Sequence, residues 1–478
     1  VVSGYYDPIV FQEDLNMYQQ SLYNTATKSK ELVAIDRDLF IKLYVCGMTV
    51  YDYPHIGHAR SAVIFDTLNR HLSSIGQNVI YVRNITDVDD KIIKKMHDEN
   101  IDLFTLTEKV HKVSNEAFKK LGCSEPDDEP KVTDHIQDII KMIRKLIDQG
   151  FAYEEAGSVY FSVKKYQEYV QKEDLEHCYG YISGNDIEHL VTDENEDKED
   201  PRDFVLWKKA KQDEPSWYAP WSQGRPGWHI ECSALSHRYC RSGIDIHGGG
   251  VDLKFPHHEC EAAQSFAHHH GRVSIWMHHG HVMLDQKKMS KSDGNFIYLN
   301  DLLDQGYPGI DIRYYLLRTH YRKPFYFSYE GLNESRSYIN RICLALRKTK
   351  GIQEDYKVID YMDIFHKALC DDLNTPEALT VIDKVIKEIN KGYLGYQEML
   401  SKMLDILGLK LPDDVEEYLQ NNDRADITHD EVDEQISAWQ KCLERKDYQN
   451  ADNIRSHLED KGIVILQENP SKVFWYYR

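Results

Sequence analysis

The chain has 478 residues, with 58 Lys and Arg against 79 Asp and Glu, a net charge of −21 at neutral pH. Hydrophobic residues make up 41% and mean hydropathy is −0.60, which excludes both a disordered chain and a membrane-embedded one. The nine cysteines are odd in number and lack a C-x-x-C pair, which excludes a disulfide framework. No run approaches the ~18 consecutive apolar residues of a membrane helix. The first residues, from Val1, have neither the basic start nor the apolar stretch of a secretion signal, so the cytosol is the expected compartment. The acidic balance argues against generic polyanion binding, so a nucleic-acid partner must meet a local basic surface.

Residues 40–46 read as a short buried strand. After a loop with Tyr, Pro and Gly, the residues Ala59, Ala62, Val63, Phe65, Leu68, Leu72 and Ile75 recur at helical spacing. Val79, Tyr81 and Ile85 suggest a second strand and 89–99 a second helix, a unit of the length that joins parallel strands. Residues 134–150 form a periodic helix ending at Gly150, and the acidic stretch 185–203, with Pro201, reads as a solvated loop. Residues 244–250 look like a strand running into a glycine turn; a helix starts near His257, and 274–283 is again strand. From 330 the pattern is helical, with Ile339, Ile342, Leu346, Val381, Val385 and Ile389 at apolar positions. Residues 421–427 read as a polar linker, and 430–478 as a module of two helices, a strand at 463–466 and an aromatic, basic end.

Pro54-His55-Ile56-Gly57-His58 stands between a strand end and a helix start. Free N–H groups and the positive dipole end attract phosphate there. Gly57 permits close approach, and two histidines can donate to phosphoryl oxygens; a turn with surface histidines has the same spacing. Lys287-Lys288-Met289-Ser290-Lys291-Ser292-Asp293-Gly294 places lysines and hydroxyls on a glycine-containing loop, suited to a polyphosphate or simply solvated. Cys46, Cys232, His257 and Glu261 offer two thiolates, an imidazole and a carboxylate, a zinc-type donor set. His257 and Glu261 are i, i+4 on one expected helix and share a face, whereas each cysteine alone reads equally well as a small buried hydrophobe.

HIGH followed some 230 residues later by KMSKS, both unsubstituted, resembles the paired signature of class I aminoacyl-tRNA synthetases. Tyr44-Val45-Cys46-Gly47-Met48-Thr49-Val50-Tyr51-Asp52 resembles the opening motif of the cysteinyl-tRNA synthetases. So do Asn84-Ile85-Thr86-Asp87-Val88-Asp89-Asp90-Lys91, the run from Gly224 through Trp228 to Cys232 and Ser233, and Gly248-Gly249-Gly250 followed by Asp252 and Phe255-Pro256-His257-His258-Glu259. The similarity runs from about residue 22 to the C-terminus. Two positions depart from it: Cys260, where the family usually has Asn, and Asp293, where it commonly has Leu.

The resemblance implies an α/β fold: a Rossmann-type parallel-sheet catalytic domain split by an insertion, then a helical bundle and a small C-terminal α/β module. The implied divisions are 22–133 and 217–280 for the two catalytic halves, 134–216 for the connective insertion, 281–332 for the KMSKS and stem-contact region, 333–420 for the bundle on the anticodon side, and 425–478 for the anticodon-recognition module. The implied reaction is ATP-dependent activation of L-cysteine to cysteinyl-adenylate, then transfer to the 3′-terminal adenosine of tRNA(Cys), with Mg2+ accompanying ATP. One zinc ion per chain, on Cys46, Cys232, His257 and Glu261, would select the substrate thiolate, because an apolar pocket separates near-isosteres by only roughly 1–3 kcal/mol. No editing domain is then expected.

By the same resemblance, His55, His58, Lys288 and Lys291 are catalytic; His55, Gly57, His58, Gly250, Asp252 and Lys291 meet ATP; and Gly47, Thr49, Thr86 and Trp228 enclose the cysteine. His278 or His279 is a candidate for the ATP pocket. Residues 313–323 interleave basic and aromatic side chains, as a stem contact or as an amphipathic helix with a solvated basic face. Residues 472–478 offer rings for unpaired bases or a packed last strand. A monomer without a membrane partner is expected. Two other readings compete: a ligase joining cysteine to a small-molecule amine, from which the tail module would be missing, and a non-catalytic RNA-binding or zinc-storage protein.

Overall fold

The computed structural model describes residues 18–34, 40–175, 178–184, 197–241, 243–269, 271–284, 287–289, 294–348, 359–420, 427–469 and 472–477. Its central unit comprises β1 (Phe40–Val45), α1 (Ile56–Ser74), β2 (Asn78–Arg83), α2 (Trp228–Cys240), β3 (Ile244–Gly250), α3 (Glu259–His269) and β4 (Val273–His279). The four strands form one parallel sheet in the order β4-β3-β1-β2. β1 is buried along all but its first residue, as a parallel strand covered on both faces must be. The chain leaves β1 for β2 on one side and later returns to β3 on the other. The order therefore reverses between β1 and β3, and sheets of this kind bind ligands in the crevice beyond the carboxyl ends at that point.

Gly248, Gly249 and Gly250 are not the expected turn. They are the last residues of β3, paired with Met277, His278 and His279. The reason is packing: a Cβ on Gly248 would lie 2.2 Å from the Phe65 ring of α1. Stripping β3 of side chains there lets α1 lie close on the sheet. α3 begins at Glu259 rather than His257, because Phe255 is extended inside the irregular turn 254–258. The strand expected at 274–283 is two strands, β4 and Val282–Leu284, parted at Gly280 and His281. Ile85 lies beyond β2 and bridges Lys131.

Between β2 and α2 stand the helix Ile136–Asp148 and a five-stranded antiparallel sheet. The last strand of this excursion, Gln223–Pro226, runs through Gly227 directly into α2. Most of the loop expected at 185–203 lies outside the described residues.

Helices Gly309–Leu317, Tyr329–Leu346, Tyr361–Cys370, Thr375–Asn390 and Tyr396–Ile406 share one apolar core with α1. That core explains the basic and aromatic residues from 313. Arg313 is buried, donating to Asp66 of α1 at 2.5 Å and to the Leu407 carbonyl at 2.6 Å. Tyr314 and Tyr315 are buried as well. The interleaving up to residue 317 is thus internal packing and not a solvated stripe; beyond it, Arg318 pairs with Glu334 and Arg322 with Asp372.

The tail module is two helices, His429–Glu444 and Tyr448–Asp460, and a hairpin of Ile463–Asn469 against Lys472–Tyr477. Phe474, Trp475 and Tyr477 are buried, and the Trp475 indole N–H donates to Asp433 at 2.8 Å. These rings are core residues of a packed last strand, the second of the two readings of residues 472–478. Most of the linker at 421–427 is outside the described residues. Among the described residues, no helix is long and apolar enough to cross a membrane.

Candidate active site

A cavity of about 320 Å3 opens beyond the carboxyl ends of β1 and β3, at the point where the strand order reverses. His55, Gly57 and His58 form one wall. His55 is the N-cap of α1, its Nδ1 accepting from the N–H of Gly57 at 3.1 Å and of His58 at 3.4 Å. His58 Nδ1 in turn accepts from the His55 N–H at 3.3 Å, and the two rings stack with centroids 3.7 Å apart. This is a capping box built from two histidines. Since both Nδ1 atoms accept, the neutral rings carry their protons on Nε2. Gly57 is needed because a Cβ there would stand 2.8 Å from His55 Cε1.

Cys46, which lines the cavity, follows β1; next to it Cys232 lies in the second turn of α2, and His257 and Glu261 flank the start of α3. All four are buried. Cys46 Sγ is 3.5 Å from Cys232 Sγ, 3.4 Å from His257 Nε2 and 3.2 Å from Glu261 Oε1. His257 Nε2 is 2.9 Å from Glu261 Oε1. The structure thus brings together all four residues of the expected donor set. Tetrahedral zinc, with bonds of about 2.3 Å to sulfur and 2.0–2.2 Å to nitrogen or oxygen, has edges of about 3.3–3.8 Å, so the set fits after a slight expansion. A second, overlapping set keeps Cys46 and Glu261 but adds His247 and His258. His247 Nε2 is 3.1 Å from the other Glu261 oxygen, and His258 Nε2 is buried without a hydrogen-bond partner among the described residues.

Proton sharing in this cluster is uneven. Burial, with Cys232 and Glu261 nearby, pushes the Cys46 thiol well above its ordinary range. Burial acts the same way on Cys232, but the Cys46 hydrogen bond and His257 overcome it and bring that thiol down to about 6. Burial would lower His257, yet Glu261 and Cys232 raise it to about 10. Burial would raise Glu261, yet His247 and His257 hold it well below the usual range. A proton on His257 therefore balances electron-rich donors, the place a divalent cation would take.

Of the other expected contacts, Gly47, Thr49, Trp228, Gly250, Asp252 and Lys288 line the same cavity, and Thr86 pairs with Thr49. Gly47 donates its N–H to Asn84 Oδ1 at 2.9 Å, and a Cβ there would overlap the Asn84 carbonyl oxygen at 1.6 Å. Thr49 bridges Thr86, whose hydroxyl donates to buried Glu231 at 3.1 Å. Trp228 is 39% exposed, with its ring 4.5 Å from that of His257, so it covers the donor cluster from the cavity side and is not a core aromatic. Gly250 and Asp252 line the cavity together, and a Cβ on Gly250 would lie 2.4 Å from Asp252 Oδ1. His279 lines the cavity, whereas His278 is tied to His258 at 2.8 Å and to Thr25 at 2.9 Å. Lys288, on the strand Lys287–Lys288, is exposed at the rim. Lys291 and Asp293 lie outside the described residues.

Three residues absent from the sequence-based site complete the cluster. Asn84 accepts from Gly47 and from Cys232 at 3.6 Å; His229 meets His257; and His247 meets Glu261. Asn84 and His229 sit inside the quoted motifs, which was the available signal. Cys260 takes no part: its thiol faces the Tyr179 hydroxyl at 3.4 Å.

Residues 33–337 match the family model described as "tRNA synthetases class I (C) catalytic domain", and residues 364–411 match the "DALR domain". The chain is 40% identical over 472 residues to a cysteine--tRNA ligase of Alkalilimnicola ehrlichii, covering 95% of this chain and 99% of that one. It is 42% identical over 453 residues to a cysteine--tRNA ligase of Hydrogenovibrio crunogenus, covering 93% and 97%. Among solved structures, methionyl-tRNA synthetase of Mycobacterium tuberculosis in complex with methionyl-adenylate superposes with a TM-score of 0.52 at 13% identity, over 86% of this chain and 87% of that one. At that identity the likeness speaks for the fold.

Proposed function

The chain belongs to the cysteine–tRNA ligases, a family of class I aminoacyl-tRNA synthetases, and from that premise we propose that it activates L-cysteine with ATP and transfers it to the 3′-terminal adenosine of tRNA(Cys), selecting the substrate by its sulfur. The observation that carries the reading is the convergence of Cys46, Cys232, His257 and Glu261 in one buried cluster, of which Cys46 lines the cavity walled by His55 and His58. Zinc on those donors would supply a soft site for the substrate thiolate, which a serine hydroxyl fills poorly.

The rest is positioning and charge stabilisation by the chain itself. The cysteine carboxylate attacks the α-phosphate of ATP, and pyrophosphate leaves. The Nε2–H groups of His55 and His58 donate to phosphoryl oxygens as charge accumulates on them. Lys288, with Lys291, holds the departing phosphates, which Mg2+ accompanies. Gly250 leaves room for the nucleotide, and Asp252 holds its ribose. Gly47, Thr49 and Thr86 hold the amino acid, and Trp228 keeps water off the sulfur. A terminal hydroxyl of the tRNA then takes the cysteinyl group from the adenylate.

Metal analysis together with ATP–pyrophosphate exchange tests this. One zinc per chain and exchange that requires cysteine and ignores serine are expected. Exchange with serine at a comparable rate overturns selection by sulfur, and no exchange with any amino acid overturns adenylation. Charging of tRNA compared with an amino sugar separates the ligase from the small-molecule reading.

A further inference from the structure

Arg60 lies one turn into α1, beyond the histidine pair, and is completely buried. Among the described residues no carboxylate pairs with it. Its two terminal nitrogens donate instead to five backbone carbonyls: Gly280 at 3.0 Å, His281 at 3.1 Å, His320 at 3.4 Å, Tyr321 at 3.0 Å and Lys323 at 2.6 Å. Burial lowers its pKa only to about 10, so the group stays charged at neutral pH. A buried, unpaired guanidinium is costly, and apolar packing would fill the same space. Here the charge gathers two chain segments at one point.

Those segments root the small sheet that carries Lys288. Gly280 donates to the Tyr321 carbonyl at 2.8 Å, and Phe325 to the His281 carbonyl at 2.8 Å. From this knot, Val282–Leu284 pairs on one side with Phe325–Tyr326 and on the other with Lys287–Lys288, setting Met283 opposite Lys288. The Met289 N–H returns to the Val282 carbonyl at 3.0 Å. The far end of the segment is stitched to the histidine turn, with Ile56 donating to the Ile297 carbonyl at 3.0 Å and Leu299 to the Pro54 carbonyl at 2.8 Å. The backbone that carries Lys288 is therefore tied through Arg60 to the helix of His55 and His58.

We propose that Arg60 is a positioning residue for the activation step: by gathering the carbonyls of residues 280, 281, 320, 321 and 323, it sets Lys288 at a fixed place relative to the histidines of its own helix. The inference rests on the reading of Lys288 as a phosphate-holding group.

The test is a double-mutant cycle in ATP–pyrophosphate exchange, with Arg60→Met and Lys288→Ala alone and combined. A misplacement of about 1 Å costs on the order of 100-fold, so Arg60→Met should lower kcat by about that factor with little change in the KM for cysteine. Arg60→Lys, which keeps the charge and some donors, should recover part of the loss. If Arg60 acts through Lys288, its replacement in the Lys288→Ala background should cost less than about 3-fold. The full loss in both backgrounds, or a raised KM at unchanged kcat, overturns the proposal. A Lys288→Ala enzyme that exchanges at the parent rate overturns the reading of Lys288, and the route through it falls for that separate reason. Should Arg60→Met not fold, Gly280→Ala probes the same knot without touching the charge, because its Cβ would stand 2.5 Å from the Lys323 carbonyl oxygen. The same cycle should give the same non-additivity.

Discussion

His229 and His257 face each other Nδ1 to Nδ1 at 3.0 Å, inside the protein and beneath Trp228. One of the two must carry the bridging proton. His257 turns its Nε2 toward Cys46 and Glu261. If that nitrogen gives its lone pair to a metal, the proton sits on His257 Nδ1 and His229 accepts it, which fixes the tautomer of the ligand. Replacing His229 with Leu should weaken zinc retention by about 10–100-fold. Competition with a chromophoric chelator reads this directly; unchanged retention would detach His229 from the centre.

Cys232→Ser removes one of the two sulfurs while keeping the size of the side chain. Loss of most bound zinc is expected, together with a fall in the preference for cysteine over serine in pyrophosphate exchange. Full zinc content with an unaltered preference would remove Cys232 from the donor set.

Arg313 separates packing from RNA contact. Its side chain is fully buried against Asp66, which burial would raise but which Arg313 and Arg70 hold below its ordinary pKa. Arg313→Met leaves a buried carboxylate short of its main partner and should destabilise the protein by about 3–5 kcal/mol. Thermal unfolding should move well before tRNA affinity does. A variant as stable as the parent but poor in tRNA binding would restore the surface reading.

Acid sensitivity is expected at Glu129. Burial would raise this carboxyl, but hydrogen bonds from His111 and the Arg83 guanidinium, at 3.0 and 2.6 Å, bring it down to about 2. A carboxyl with a folded pKa below its unfolded value contributes stability above the unfolded value, and this is lost as pH falls through the folded one. The window is thus from about 4.5 down to about 2, and the contribution at neutral pH is at most about 3 kcal/mol. Urea unfolding of Glu129→Gln beside the parent should show a gap that is widest near pH 7 and narrows below pH 4. A gap independent of pH would remove the ionised pair from the account.

The fold was legible where periodicity is local. The strand–helix–strand opening and the helices after 330 follow from spacing alone, because each buries one stripe or run against a neighbour. Gly248 to Gly250 misled because their meaning is tertiary: a run of glycines resembles a turn until Phe65 is seen to occupy the space. Arg313 misled, and Trp475 stayed open between two readings, for the complementary reason. Their chemistry suits a surface, and only distant partners, Asp66 and Asp433, explain their burial. In the site, residues held by motif spacing were accessible to reading. His247 matters through a side chain that meets Cys46 across 201 positions, and a chain with 23 histidines gives no local hint of which ones meet.

A centre whose donors come from positions 46, 232, 257 and 261 cannot exist in a half-made chain. The amino-terminal part must wait, folded or not, until α2 and α3 have left the ribosome and β3 has slotted in beside β1. An ion held by all four donors would bind only after Glu261 has emerged and the parallel sheet has closed, so its occupancy would report that assembly step, ahead of the helices from Gly309 onward.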